Sequence, residues 1–254
     1  EEVNRQIEGG AAMIDVNGGT TPKQEKDNML WLTELVAGAC DLPLCLDSAN
    51  PEVIEAAAQV LLDTRGKDVP QNFEDDEGLP WLMVNSITAA EKSYNGILPV
   101  LKKYNCAVVA LCMEEGTEPQ GEEQRAEIGA ALVRRLVDDG VAAPRIYVDP
   151  LVMPVGVNPA NGKSAVDIIT RLKNDFEGLR SVCGLSNVSY GIPARPLVNR
   201  TYMGIMAFAG LDGAIMDTSD AKMMSTLRAA LVLAGRDEGC MDFISAFRKK
   251  QLVV

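Results

Sequence analysis

Six short apolar runs in this chain end on aspartate, asparagine or a serine–asparagine pair. Reading each run into the loop beyond it gives Asp15 and Asn17, Asp47-Ser48, Asn85-Ser86, Asp149, Ser186-Asn187, and Asp217. No lysine stands at these ends, and the chain contains no histidine. Ser-His-Asp and Cys-His catalysis, histidine-ligated metal and histidine proton relays are thereby excluded. Schiff-base chemistry lacks a lysine at a run's end. Carboxylates and amides instead suit a flat heterocycle that presents N–H donors and a carbonyl. An aspartate accepts two parallel hydrogen bonds from an amino-pyrimidine edge as it does from a guanidinium. Two other uses stay open on residue types alone: paired aspartates can hold a metal, and two carboxylates can serve as acid and nucleophile on a glycosidic bond. The asparagines then have no evident role. Any one of these residues can also cap the next helix or form a turn, and Asp217, followed by Thr218-Ser219-Asp220, is the best candidate for capping alone. Asn187 poses the sharpest question, because the run Val182–Leu185 gives way to an amide that is neither acid nor base.

Such residues act together only if the fold brings them together. The apolar runs AAMIDV (11–16), LPLCLD (42–47), WLMVN (81–85), CAVVALC (106–112), RIYVD (145–149), SVCGLS (181–186) and GAIMD (213–217) have strand length. They are apolar on both faces, as strands of a helix-covered parallel sheet are. Segments of helical period lie near 22–38, 51–63, 88–104, 121–138, 163–176, 196–210, 219–235 and 240–250. Seven β–α units in series predict an α/β fold with a parallel sheet, and in a barrel the C-terminal strand ends form the rim where sites are built. A (β/α)8 barrel needs one strand more. The opening EEVNRQIEGG reads as the tail of a helix entering the run at 11–16. The expected fold is therefore a (β/α)8 TIM barrel whose first strand is missing from this chain and precedes residue 1; an open seven-stranded sheet is the alternative. The chain reads as one domain, 1–254, with a polar, acidic surface insertion at 63–80 on the N-terminal side of the sheet.

With 254 residues, 47% of them hydrophobic, the chain can build one large core. A net charge of −12 repels phosphate backbones and anionic membranes, so neither nucleic acid nor membrane is an expected partner. No apolar run approaches the roughly 20 residues that span a bilayer, and the start is not a signal peptide. The six cysteines form no C-x-x-C pair, so no bound metal is expected. They read as small buried hydrophobes in a cytoplasmic, reducing setting. Met203, Met206, Met223 and Met224 read as helix packing.

As a set, IDVNGG (14–19), LCLDSAN (44–50), VNS (84–86), YVDPL (147–151), GLSNVS (184–189), ARPLVNRTY (194–202) and GLDGAIMD (210–217) resemble the methyltetrahydrofolate:corrinoid-protein methyltransferases. These are pterin-binding TIM barrels related to the folate domain of cobalamin-dependent methionine synthase. The resemblance covers nearly the whole chain, in order and at compatible spacing. The chain departs from it in the absent first strand and in the length of 63–80. By this resemblance Asp47, Asn85 and Asp149 hydrogen-bond the pterin ring, and Asn187 reaches folate N5 with its amide. Ser186 and Arg195 join the binding set, and Asp15 and Asn17 stand behind it. The implied activity moves a methyl group between N5 of (methyl)tetrahydrofolate and the cobalt of a corrinoid (cobalamin). A histidine-bearing cobalamin motif is impossible here, so the corrinoid is expected on a separate partner protein. A homodimer is implied by the resemblance only.

Two other readings compete. Dihydropteroate synthase is a related pterin barrel, but that family uses a lysine and an Arg-x-His pattern late in the chain. Here GLSN stands in the lysine-bearing region and histidine is absent. A non-catalytic folate-binding protein is the other alternative.

Overall fold

The computed structural model describes residues 1–19, 21, 23–74, 78–114 and 121–253. Strands form at all seven apolar runs: β1 (Ile14–Asn17), β2 (Leu44–Asp47), β3 (Leu82–Ile87), β4 (Ala107–Leu111), β5 (Ile146–Asp149), β6 (Arg180–Gly184) and β7 (Gly213–Ile215). They pair in chain order, and every pair is parallel. The helices are α1 (Glu2–Gly9), α2 (Glu25–Ala39), α3 (Pro51–Arg65), α4 (Glu91–Tyr104), α5 (Glu122–Asp138), α6 (Asn161–Asp175), α7 (Arg195–Phe208), α8 (Ala221–Leu233) and α9 (Met241–Arg248). Neighbours in chain order are neighbours in space, because a right-twisted strand, a returning helix and the next parallel strand pack back on one another in one hand.

The period of the strands decides where each side chain goes. Leu44 and Leu46, Val108 and Ala110, and Ile146 and Val148 point outward into the core shared with the helices. Their alternates Cys45, Met83, Ala107, Val109, Tyr147 and Val182 pack against one another inside the barrel. Two residues on from Cys45, Met83 and Tyr147 stand Asp47, Asn85 and Asp149. Side chains two apart share a face, so these polar ends continue the inward row and open into the barrel mouth. Outside, Met203, Met206 and Met223 are buried in the core around α7 and α8, and Met224, also buried, borders the slot between β1 and β7 near Gly10.

β1 and β7 are the two edges of the barrel wall. A cavity of about 1010 Å³ lies between them, bordered by Met13, Ile14 and Val16 on one edge and Ala214, Ile215 and Met216 on the other. Its apolar border and its position between two parallel edges suit an eighth strand. α1 sits beside this slot, with the Gln6 Nε2 donating to Asp217 Oδ1 at 2.8 Å and Thr218 N–H donating to Gln6 Oε1 at 2.9 Å.

Segment 63–80, of which 75–77 lie outside the described residues, is tied to the N-terminal end of the strands. Asn105 Nδ2 donates to the Gln71 carbonyl at 2.6 Å, and Arg180 Nη1 donates to the Gly78 carbonyl at 2.9 Å. Arg180 also pairs with Glu74 and donates to the Tyr147 hydroxyl at 2.7 Å. The segment is therefore fastened to the floor of the barrel, opposite the rim. No helix among the described residues is long and apolar enough to cross a membrane.

The caps fall beside the rim residues, not on them. Asn50 caps α3, accepting from the Glu52 N–H at 3.0 Å, and Asp220 caps α8, accepting from Lys222 and Met223. Asn50→Ala should cost about 1 kcal/mol of stability, seen as a lower denaturation midpoint, without a loss of ligand affinity.

Candidate functional site

Three adjacent strands present Asn17, Asp47 and Asn85 in one row: Asn17 is in register with Asp47, and Asp47 with Asn85. Asn17 Nδ2 donates to Asp47 Oδ2 at 2.7 Å, while the Gly19 N–H donates to Asn17 Oδ1 at 2.8 Å. The Asn17 amide is thus fixed from behind and orients the carboxylate in front of it. Asp15 lies one step deeper, in register with Cys45. The surrounding wall desolvates its carboxylate, and the neighbouring Asp47 adds like-charge repulsion. The Cys45 thiol donates to it and opposes the rise, leaving the Asp15 pKa at about 6. Its side chain reaches solvent through the β1–β7 slot.

Asp149 ends β5 in register with Leu111. Its Oδ1 accepts from the Leu151 N–H at 2.7 Å, a turn made possible by the left-handed backbone at Leu151 (φ 58°). Burial in the barrel mouth pushes the Asp149 carboxyl up to about 7; the Leu151 hydrogen bond and the Arg125 charge act against that rise. One oxygen is held by the turn, and the other is free to accept from a ligand.

Asn187 settles into a tight helical turn, Leu185–Ser189, rather than ending a strand; β6 stops at Gly184. The capping role is ruled out by position, since the residue preceding α7 is Ala194 and the Asn187 carbonyl accepts from the Tyr190 N–H at 3.1 Å. The side-chain amide of Asn187 is exposed at the rim and has no hydrogen-bond partner among the described residues. The half-buried Asn85 amide and the exposed Ser186 hydroxyl likewise have no hydrogen-bond partner among the described residues. Polar groups that need no partner to hold the fold, gathered over one mouth, are what a ligand site requires.

Gly184 lets that amide lie where it does. A Cβ at this position would stand 3.2 Å from Asn187 Nδ2, tighter than ordinary van der Waals contact. Gly184→Ala should move the amide by a few tenths of an ångström, read as a shift of the Asn187 side-chain NH2 resonances at an unchanged denaturation midpoint.

Arg195 opens α7 and braces the same turn: Nη2 donates to the Ser186 carbonyl at 2.9 Å and Nε to Ser189 Oγ at 3.1 Å. Its guanidinium lies 5.9 Å from the centre of the Tyr190 ring. Asp217, by contrast, folds onto its own loop, accepting from the Ser219 N–H at 2.9 Å and the Ser219 hydroxyl at 2.6 Å. The cap expected there belongs to Asp220 instead.

Asp47, Asn85 and Asp149 stand at or near the C-terminal ends of β2, β3 and β5, and Ser186 and Asn187 in the turn after β6, with Asn17 bonded to Asp47 and Arg195 to the Ser186 carbonyl. No group of three metal-ligating side chains occurs among the described residues. Residue types alone did not single out Gly184 or the buried Arg125, whose Nη1 donates to the Pro150 and Leu151 carbonyls at 2.9 and 2.6 Å. A signal for Arg125 was present: it stands on the apolar stripe of α5 with Ile128, Leu132 and Leu136, where an unpaired charge is costly.

Residues 1–216 match the family model described as pterin binding enzyme. The chain is 28% identical over 249 residues to a methylcorrinoid:tetrahydrofolate methyltransferase of Eubacterium limosum, covering 97% of this chain and 86% of that one. It is 26% identical over 223 residues to a methionine synthase of Mycobacterium leprae, covering 84% of this chain but 17% of that longer one. Among solved structures, a dihydropteroate synthase of Coxiella burnetii in complex with pteroic acid superposes with a TM-score of 0.70 at 14% identity, covering 92% of this chain and 84% of that one. A dihydropteroate synthase of Yersinia pestis gives 0.65 at 17%, covering 91% and 87%. At such identities the structural likeness shows the fold alone.

Proposed function

The chain belongs to the pterin binding enzyme family, and we propose that it moves a methyl group between N5 of (methyl)tetrahydrofolate and the cobalt of a corrinoid carried on a separate protein. The observation that carries this reading is the exposed Asn187 amide, without a hydrogen-bond partner among the described residues, in the turn after β6, on the rim where neighbouring strands end near Asp47, Asn85 and Asp149. The relative from Eubacterium limosum, named for this reaction, supports it across most of both chains.

The pterin's amino-pyrimidine edge supplies N–H donors, and the free oxygens of Asp47 and Asp149 accept them. Asn85 both donates and accepts, matching a ring that carries a carbonyl beside N–H groups. Tertiary-amine nitrogen is a poor leaving group, so departure of the methyl requires positive charge or a proton at N5. As the C–N bond breaks, its electron pair stays on N5. The Asn187 oxygen, accepting from the N5–H, favours the protonated N5, which the returning electron pair converts into a neutral amine leaving group. The amide N–H is too weak an acid to protonate N5; water at the open rim carries the proton, which agrees with a site built without histidine. The corrinoid cobalt supplies the nucleophile in one direction and the methyl group in the other. Ser186 and Arg195 keep the Asn187 turn in place while the partner approaches over the rim.

A homodimer belongs to the same proposal. It is supported by α7, which buries Met203 and Met206 but leaves Leu197, Ile205 and Phe208 exposed along its outer side. A cytoplasmic setting accords with six cysteines that are all free thiols.

The reading is tested by titrating the protein with tetrahydrofolate and pteroic acid. Saturable binding of tetrahydrofolate, weakened by Asp47→Ala and Asn85→Ala, is expected. Absence of folate binding by the folded protein would refute it.

A further inference from the structure

Arg125 is among the most buried side chains in the molecule, 2% exposed, yet it carries a permanent charge. Burying a guanidinium is costly unless its donors are matched, and two of its three nitrogens are. Nη1 donates to the carbonyls of Pro150 and Leu151, the two residues after Asp149, and Nη2 donates to Ser164 Oγ at 2.7 Å. Ser164 lies in the first turn of α6 and is itself buried. One side chain from α5 therefore pins the backbone leaving β5 to the next helix in the chain.

This pin lies directly behind the site. The pinned Leu151 donates its N–H to Asp149 Oδ1 at 2.7 Å, and further along the same loop the Val155 N–H donates to the Val188 carbonyl at 2.9 Å. Val188 is the residue after Asn187. A planar, forked cation suits two carbonyls and a hydroxyl at once; a lysine ammonium reaches as a single point. We infer that Arg125 is a positioning residue, which sets the Asp149 carboxylate through Leu151 and holds the Asn187 turn through Val155. The consequence for folate rests on the proposed methyl-transfer function; the consequence for the loop does not.

The test compares Arg125→Met, which keeps the stem and removes the donors, with Arg125→Lys and Ser164→Ala. Amide hydrogen exchange at Leu151, the dissociation constant for tetrahydrofolate and the denaturation midpoint are measured on each. Arg125→Met should lose Leu151 protection and bind tetrahydrofolate about ten- to a hundredfold more weakly. Arg125→Lys should recover part of both. Ser164→Ala, which removes only the Nη2 acceptor, should move both in the same direction by less, and it carries the test if Arg125→Met does not fold. Leu151 exchange as slow as in the parent protein would overturn the inference, as would unchanged folate affinity in a variant with a lowered midpoint. A parent protein that binds no folate refutes the folate reading instead, and Leu151 exchange still decides the role of Arg125.

Discussion

Asn187→Ala is expected to lower methyl transfer by about two to three orders of magnitude and to leave stability within about 0.5 kcal/mol of the parent. The two halves of this result have separate causes. Stability is unaffected because the amide makes no hydrogen bond among the described residues and the Leu185–Ser189 turn is held by its backbone and by Arg195. On the proposed reading, catalysis suffers because the Asn187 oxygen is the acceptor for the N5–H, and the chain has no histidine to take its place. Folate affinity should fall as well, since the N5–H loses its acceptor. Asn50→Ala is the natural control, with the opposite signature of lost stability and retained transfer. If Asn187 were a cap, the two variants would behave alike.

Asp149→Asn should weaken folate binding by about ten- to a hundredfold, the worth of one hydrogen bond to an ionised acceptor. The asparagine keeps an oxygen for the Leu151 N–H and places an N–H donor where the pterin also presents one. Its effect on stability has the opposite sign. Burial raises the Asp149 carboxyl from 3.8 to about 7. The folded protein therefore holds a proton between those values that the unfolded chain has released. The contribution of this group to stability is fully present below 3.8 and is lost as pH rises through about 7. Above that window the folded protein carries a buried charge, so Asp149→Asn should be as stable as the parent or more so, judged by thermal denaturation. In the parent, N–H donors of the pterin favour the ionised carboxylate, and tetrahydrofolate binding should tighten as pH rises through about 7 and then level off. The Asn variant should lack this step.

Much of this arrangement is legible in the residues themselves. Seven apolar runs became seven parallel strands, although β1 alternates, with Ile14 and Val16 buried and Asp15 and Asn17 exposed. The polar ends at Asp47, Asn85 and Asp149 fall inside the barrel by the two-residue period that puts Cys45, Met83 and Tyr147 there. Three features were less visible. Ser186-Asn187 has the pattern of a strand end, but Gly184 ends the strand, and the apolar Leu185 and Val188 are buried by a short helical turn instead. Local pattern does not separate a strand end from a tight turn when both bury the same side chains. Arg125 shows its burial by its place on the apolar stripe of α5, but its role is hidden for another reason. Its partners are backbone carbonyls contributed 25 and 26 residues later, and carbonyls leave no mark in a sequence. The same holds for Arg195, whose contact with the Ser186 carbonyl depends on how the turn folds.

The central claim is that this barrel transfers a methyl group and does not merely hold folate. It is tested most directly by mixing the purified protein with 5-methyltetrahydrofolate and free Co(I) cobalamin under anaerobic conditions and tracking the cobalt absorption spectrum. The account predicts conversion to methylcobalamin at a rate proportional to the protein, reversed when methylcobalamin and tetrahydrofolate are supplied, and nearly abolished in Asn187→Ala. Tight folate binding with no cobalt methylation in either direction, with free cobalamin or a corrinoid protein as acceptor, would contradict it and leave a folate-binding protein.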